Sequence, residues 1–303
     1  MIREVQDSIL KLKKEKNLAI LAHSYQSTDI LEIADFRGDS YQLSVIAQTL
    51  DCDTIIMCGV RFMAETLKML SPEKKVILPV EVATCPMAEQ ISPQRVLEFK
   101  KQNPTYKVVA YINTTAELKA VCDVCVTSSS ALKIVGNLDT NDILFIPDKN
   151  LGSYIKEQLP HKNIVLWDGC CPIHDSITVE ECLEAKKRYP NAKVLMHPEL
   201  PKEILAFADL VGSTSAIINY ALEHDDECII GTEKSIADYL SLVKPEGKFH
   251  PLSKNLMCPD MRITTITDVY KAMLGAGGEE IILDEQLRLD AKKPIDEMIR
   301  LGG

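Results

Sequence analysis

Three cysteines, Cys85, Cys171 and Cys258, are each followed by proline and stand 86 and 87 residues apart. Thiolates are the usual ligands of iron–sulfur clusters, and four of them complete an electron-transfer [4Fe–4S] centre. Three leave one iron open, and an open iron acts as a Lewis acid on a carboxylate, hydroxyl or imine. Zinc held by three thiolates and a water is the alternative, but zinc–thiolate sites usually take their ligands from short knuckles.

Other landmarks keep step with the cysteines. His23, Tyr111 and His197 end apolar strands at intervals of 88 and 86, and acidic turns at 34–40, 122–128 and 208–214 follow at the same offsets. A fixed long period marks a duplicated structural unit. Three copies predict three domains: residues 1–88 completed by 261–303, residues 89–174, and residues 175–260.

Within each copy, short apolar strands alternate with amphipathic helices, the signature of βαβ units and a parallel sheet. Strands are expected at 18–22, 54–57 and 75–79, at 108–112, 143–146 and 164–167, and at 194–197, 228–230 and near Phe249. A helix over 2–16 carries apolar residues at Ile2, Val5, Ile9 and Leu12, one stripe facing a core. Helices entered at Ser92, Thr178 and Thr265 begin on capping hydroxyls.

Open α/β sheets bind ligands at the carboxyl ends of their strands. If the three units face one another there about a pseudo-threefold axis, the cysteines meet at one point. The fold class expected is therefore α/β, with three pseudo-threefold-related αβα domains whose short parallel sheets surround a central cluster site. Ser40, Thr127, Ser128, Ser213 and Thr214 precede helical runs, and helix N-termini accept anions such as phosphate or carboxylate.

With 46% hydrophobic and 26% charged residues, the chain has the balance of a globular protein. A net charge of −10 argues against a nucleic-acid surface, and no apolar run is long enough to span a membrane. The N-terminal helix lacks the features of a signal peptide, so a cytoplasmic location is expected. Ten cysteines in that setting point to metal or catalytic use and not to disulfides.

Not every thiol shares the repeat. Cys122 and Cys125 form a CxxC, yet the other copies place Ala34 with Arg37 and Ala208 with Val211 there, which reads as small-residue packing. Cys170 abuts Cys171 but has no proline after it, and Cys52, Cys58, Cys182 and Cys228 are expected in the core. His161, His224 and His250 fall in polar loops and are expected in solvent. His174, three residues after Cys171, fits either a structural role or a partner of the ligand.

Runs throughout the chain resemble the quinolinate synthase (NadA) family. They include His-Ser-Tyr-Gln at 23–26, Gly-Asp-Ser at 38–40, Ala-Thr-Cys-Pro-Met-Ala at 83–88, Tyr-Ile-Asn-Thr-Thr-Ala-Glu at 111–117, Pro-Asp-Lys-Asn-Leu at 147–151, Gly-Cys-Cys-Pro-Ile-His at 169–174, His-Pro-Glu at 197–199, Gly-Ser-Thr at 212–214 and Gly-Thr-Glu at 231–233. The resemblance implies an oxygen-sensitive [4Fe–4S] cluster held by Cys85, Cys171 and Cys258. It also implies condensation of iminoaspartate with dihydroxyacetone phosphate to quinolinate, releasing phosphate and water, in de novo NAD biosynthesis. L-aspartate oxidase or aspartate dehydrogenase is then the functional neighbour.

By the same resemblance, Tyr25 transfers protons, Glu199 is its acid–base partner, and His23, Ser40, Tyr111, Asn113, Ser128, His197, Glu199 and Thr214 bind substrate, His23 also taking part in catalysis. The chain departs from the family's usual residues at Ser24, Arg61, Ser130 and Cys170. An iron–sulfur hydro-lyase or a redox sensor would use the same three thiols, but neither needs this full set of hydroxyl, imidazole and carboxylate groups.

Overall fold

A computed structural model describes residues 2–302. The first sheet is built from β1 (Leu18–His23), β2 (Phe36–Gly38), β3 (Thr54–Cys58) and β4 (Lys75–Leu78). The second contains β5 (Lys107–Tyr111), β6 (Val124–Val126), β7 (Asp142–Ile146) and β8 (Asn163–Leu166). The third contains β9 (Lys193–Met196), β10 (Leu210–Val211), β11 (Cys228–Gly231) and β12 (Phe249–Pro251). Each sheet has the same order, with its first strand between the second and third and its fourth beyond the third. All pairings among these twelve strands are parallel.

That order places a topological switch beside the first strand of each sheet, where β1, β5 and β9 deliver His23, Tyr111 and the residue before His197. The central strands are mainly apolar because helices cover both faces: every residue of β1 is buried. In the third sheet, Val194, Met196 and Ile229 pack with Leu200, Ile204 and Leu252. Each such fully buried aliphatic side chain stabilises the fold by about 1.5–3 kcal/mol.

The acidic segments read as turns are short edge strands, β2, β6 and β10. The reason is a carboxylate staple present in all three copies. Asp35, Asp123 and Asp209 accept the backbone N–H of Ile20, Val108 and Val194 at 2.7, 2.7 and 2.9 Å. Their own amides return bonds to the same residues' carbonyls. The acidic residue thus extends the ladder and does not turn the chain away. A second repeated device is a lysine whose Nζ caps carbonyls near a helix end: Lys74 on Leu50, Lys162 on Leu138 and Lys244 on His224, at 2.6, 2.7 and 2.7 Å.

A third device holds each Cys-Pro segment. The amides of Arg61, Lys149 and Lys234 donate to Ala83, Gly169 and Leu256, each two residues before a ligand-type cysteine, at 2.9, 2.7 and 2.7 Å. Proline then opens one helical turn in every copy: Pro86–Glu89, Pro172–Asp175 and Pro259–Arg262. Gly169 is required where it stands, since an added Cβ would lie 2.6 Å from the Pro147 carbonyl oxygen.

Contacts divide the chain into two compact units: Met1–Cys85 with Cys258–Lys292, and Pro86–Met257 with Lys293–Gly303. The first contains the first sheet, and β13 (Glu279–Glu280) extends it as an antiparallel strand on β4. The second contains the other two sheets. Glu285–Gly302 forms an 18-residue helix with no counterpart in the repeat.

Some local expectations change. Thr178 and Thr265 form full capping boxes, but Ser92 makes no side-chain cap, its helix opening on Pro93 instead. His250 is not a solvated loop residue. It lies in β12, stacks on Tyr189 with ring centroids 3.6 Å apart, and pairs with Glu227 at 2.8 Å. The N-terminal helix buries Gln6 and Ile9, whereas Ile2 is exposed.

Candidate active site

In the first unit, β1 ends in His23, and the chain turns so that the N–H of Tyr25 donates to His23 Nδ1 at 3.2 Å. A neutral imidazole accepting at Nδ1 carries its proton on Nε2. The two rings meet edge to face, centroids 4.4 Å apart. Gln26, fully buried, donates its amide to the Met261 carbonyl at 2.6 Å and so ties this turn to the helical turn that Cys258 opens. Cys85 and Cys258 are both half-exposed. Asp39 caps the next helix by accepting from Gln42, which leaves Ser40 as the first helical residue.

Arg61 forms a two-point ion pair with Glu279 of β13 and donates to the Glu81 carbonyl at 3.2 Å. Its amide already holds Ala83, so Arg61 secures the loop leading to Cys85.

In the second unit the same turn recurs after β9. The N–H of Glu199 donates to His197 Nδ1 at 3.3 Å, as Tyr25 does to His23. Tyr25, Asn113 and Glu199 therefore occupy one register position of the repeat. Glu199 is buried, and its carboxylate receives Tyr111 Oη at 2.6 Å and His174 Nδ1 at 3.0 Å. Burial opposes its charge, but attraction to His174 and His197 and the bonds from His174 and Tyr111 outweigh that and pull its pKa down to about 2.

His174 is the hub. Its Nδ1 also lies 3.2 Å from Cys171 Sγ, and Nε2 lies 3.2 Å from the Thr232 hydroxyl. Donor atoms of Cys171, His174 and Glu199 come within 4.8 Å of one another, a spacing compatible with metal ligation. Cys171 is held in turn from its backbone, where buried Asp148 accepts its N–H at 2.9 Å while capping the next helix through Leu151. Burial, with the nearby negative charge of Glu199, pushes the Asp148 carboxyl well above its ordinary value.

The structure thus brings Tyr111, Cys171, His197 and Glu199 together, with His23 beside Tyr25. Thr214 is buried at the start of a helix capped by Ser213, and Asn113 and Ser128 are half-buried at their strand ends. Ser130 donates no cap. Its hydroxyl accepts the N–H of Thr127 at 3.0 Å.

Four of the remaining cysteines are set apart from these by burial. Cys58, Cys125, Cys182 and Cys228 are buried, and burial pushes their thiols up to about 12, 11, 11 and 11. Cys52 and Cys122 are half-buried and not core residues as expected, their thiols also raised by burial. Cys170 is raised to about 11 by burial and by its bond to Asp175, while Gln90 clamps its backbone at both N–H and C=O.

Several residues of the site carry no signal in the repeat itself. Lys119 is fully buried and donates to the Ile112 carbonyl at 2.8 Å and to that of Thr114, bracketing Asn113. Its counterparts are Leu31 and Leu205, and those of His174 are Ala88 and Met261. The signal that finds them is a polar residue where the other copies are apolar.

The family model for quinolinate synthetase A protein (NadA) matches residues 7–300. Quinolinate synthase of Clostridioides difficile is 48% identical over 286 residues, covering 94% of each chain. That of Clostridium acetobutylicum is 45% identical over 305 residues with both chains fully covered, and that of Caldicellulosiruptor bescii is 43% identical over 302 residues, 99% of each. A match across nearly the whole length, to a family whose motifs form the hydrogen-bonded set around Glu199, leaves one conclusion: the chain belongs to the quinolinate synthase family.

Proposed function

We propose that the protein condenses iminoaspartate with dihydroxyacetone phosphate to quinolinate, with loss of phosphate and water, and that Cys85, Cys171 and Cys258 hold a [4Fe–4S] cluster. The donor chemistry supports this. These three thiols are half-exposed and share one Cys-Pro backbone setting, unlike the four buried, high-pKa thiols of the core. When bound, such a cluster supplies an iron without a protein thiolate, able to polarise a carboxylate or a leaving hydroxyl.

The chain's own residues do the proton work. Condensation and dehydration move protons repeatedly, and a positioned group with a pKa near the working pH does this best. Glu199 takes part in that acid–base work, its carboxylate held against Tyr111 and His174. Its charge also orients Tyr111 and His174, as the carboxylate of a hydrolase triad orients its histidine. Tyr25 acts as the phenolic proton donor, its backbone N–H bonded to His23 Nδ1 and its ring set edge to face against that imidazole. His23 and His197 present Nε2–H to anionic substrate groups, and Ser40, Asn113, Ser128 and Thr214 offer further donors.

The observation that carries this reading is the unbroken contact series Cys171–His174–Glu199–Tyr111. Iminoaspartate is unstable in water, so its source is an enzyme that oxidises aspartate, either L-aspartate oxidase or aspartate dehydrogenase. A cytoplasmic site of action goes with that pathway, and among the described residues no helix is long and apolar enough to cross a membrane. The test is anaerobic purification with iron and sulfide quantitation, followed by assay for quinolinate from the two substrates. Near four irons per chain and turnover support the proposal; zinc in place of iron, or no quinolinate from iron-replete protein, overturns it.

A further inference from the structure

Buried Asn150 has its amide directed into the region around Glu199. It spends both amide hydrogens on two segments far apart in sequence. Nδ2 donates to Asp175 Oδ1 at 2.8 Å and to the main-chain carbonyl of Glu199 at 3.0 Å. Asp175 closes the turn that Cys171 opens, its N–H bonded to the Cys171 carbonyl at 2.9 Å. The Cys171 turn therefore grips Glu199 twice: His174 holds the side chain, and Asp175 holds the backbone through Asn150.

The fold does not need an amide there. The matching amide bonds of Arg61, Lys149 and Lys234 fix the equivalence of the three helices, so Phe62, Asn150 and Ser235 occupy one position. An aromatic ring and a hydroxyl serve the other two copies. In the second copy the side chain is an amide that reaches the Glu199 carbonyl. A carboxylate shared between a phenol and an imidazole tolerates little displacement, since hydrogen bonds weaken steeply with angle and distance, and a misplacement of about 1 Å at a catalytic group lowers rates about 100-fold.

We propose that Asn150 is a positioning residue for the reaction: it fixes the backbone of Glu199 relative to the Cys171 turn and so sets the Tyr111–Glu199–His174 geometry. This rests on the functional reading of Glu199 given above. Asn150→Ala is expected to lower kcat at least tenfold, with KM changed less than twofold and iron content unchanged. Asn150→Ser, which keeps a donor of shorter reach, is expected to fall between Asn150→Ala and wild type.

The exchange Asn150→Asp with Asp175→Asn separates positioning from structural bracing. It restores a bond between positions 150 and 175 with donor and acceptor reversed, but it cannot donate to the Glu199 carbonyl. The exchanged protein is expected to stay as slow as Asn150→Ala. Recovery of wild-type turnover in the exchange, wild-type kcat in Asn150→Ala, or iron loss parallel to kcat in the single variants each overturns the proposal. Glu199→Gln is measured beside them. Full activity there defeats the reading of Glu199 itself, whereas an inactive Glu199→Gln with a fully active Asn150→Ala defeats only the role of Asn150.

Discussion

Removing one oxygen atom probes the centre of the site. Tyr111 Oη reaches Glu199 Oε1 at 2.6 Å, and both residues are buried, at 6% and 4% exposure. In Tyr111→Phe the ring still fills its place, but a buried charged oxygen loses a donor that water cannot replace. Hydrogen bonds to charged groups contribute about 1.5–3 kcal/mol, and the unmet acceptor sets the upper half of that range. At about 1.4 kcal/mol per decade, the unfolding equilibrium should shift by about one and a half to two decades.

The chain has a single tryptophan, Trp167, in the same unit as Tyr111 and Glu199, with Arg95 4.4 Å above its ring. Its fluorescence during guanidinium denaturation of cluster-free protein therefore reports on the relevant unit. A double-mutant cycle with Glu199→Gln isolates the pair. A coupling of about 1.5–3 kcal/mol is expected by the same reckoning. A coupling below about 0.5 kcal/mol, the usual additivity error, would refute the claim that these two side chains hold one another.

Three further outcomes are expected. Cys171→Ala should lose iron and turnover together while Cys170→Ala keeps both, checked by iron quantitation and quinolinate assay; the reverse pattern would show that the repeat picks the wrong thiol. Glu181 is buried enough for desolvation to oppose its charge, yet bonds from Ser253, the Thr178 amide and Asn255 hold its pKa below the usual range. A depressed carboxylate stabilises the fold above its unfolded value of about 4.3 and loses that contribution as pH falls through its folded value. The stability gap between wild type and Glu181→Gln should thus be open at neutral pH and close in acid, and a gap independent of pH would contradict this. Arg61→Ala should raise hydrogen exchange at the β13 amides a few-fold, in line with about 0.5–1 kcal/mol for a partly exposed ion pair. Unchanged exchange at Ile281, whose amide bonds to Val76, would show that β13 is held without Arg61.

The period of the sequence made the architecture legible, because a thrice-copied core needs its apolar strands and its Cys-Pro turns in the same phase. It also marked His23, Tyr111 and His197 as strand ends. What it could not supply was any residue whose importance lies in belonging to only one copy. The sequence leaves His174 open between two roles and sets no mark on Lys119, Asp148 and Asn150, because their partners are brought near only by tertiary packing. The edge strands β2, β6 and β10 escaped for another reason. Two or three residues with an aspartate ahead of them look like a turn until the carboxylate is seen stapling the neighbouring strand.

Positions 25, 113 and 199 repay comparison. The turns after β1 and β9 are alike, with Gln26 N–H on the His23 carbonyl and Leu200 N–H on the His197 carbonyl, and they receive a phenol and a carboxylate; the amide of Asn113 sits in a tighter turn, Thr114 N–H on the Ile112 carbonyl. A largely symmetrical frame can thereby serve an asymmetrical reaction with only a local change of main chain. Specialisation costs a single codon per copy, so new proton chemistry in this architecture should be sought first by exchanging those three side chains.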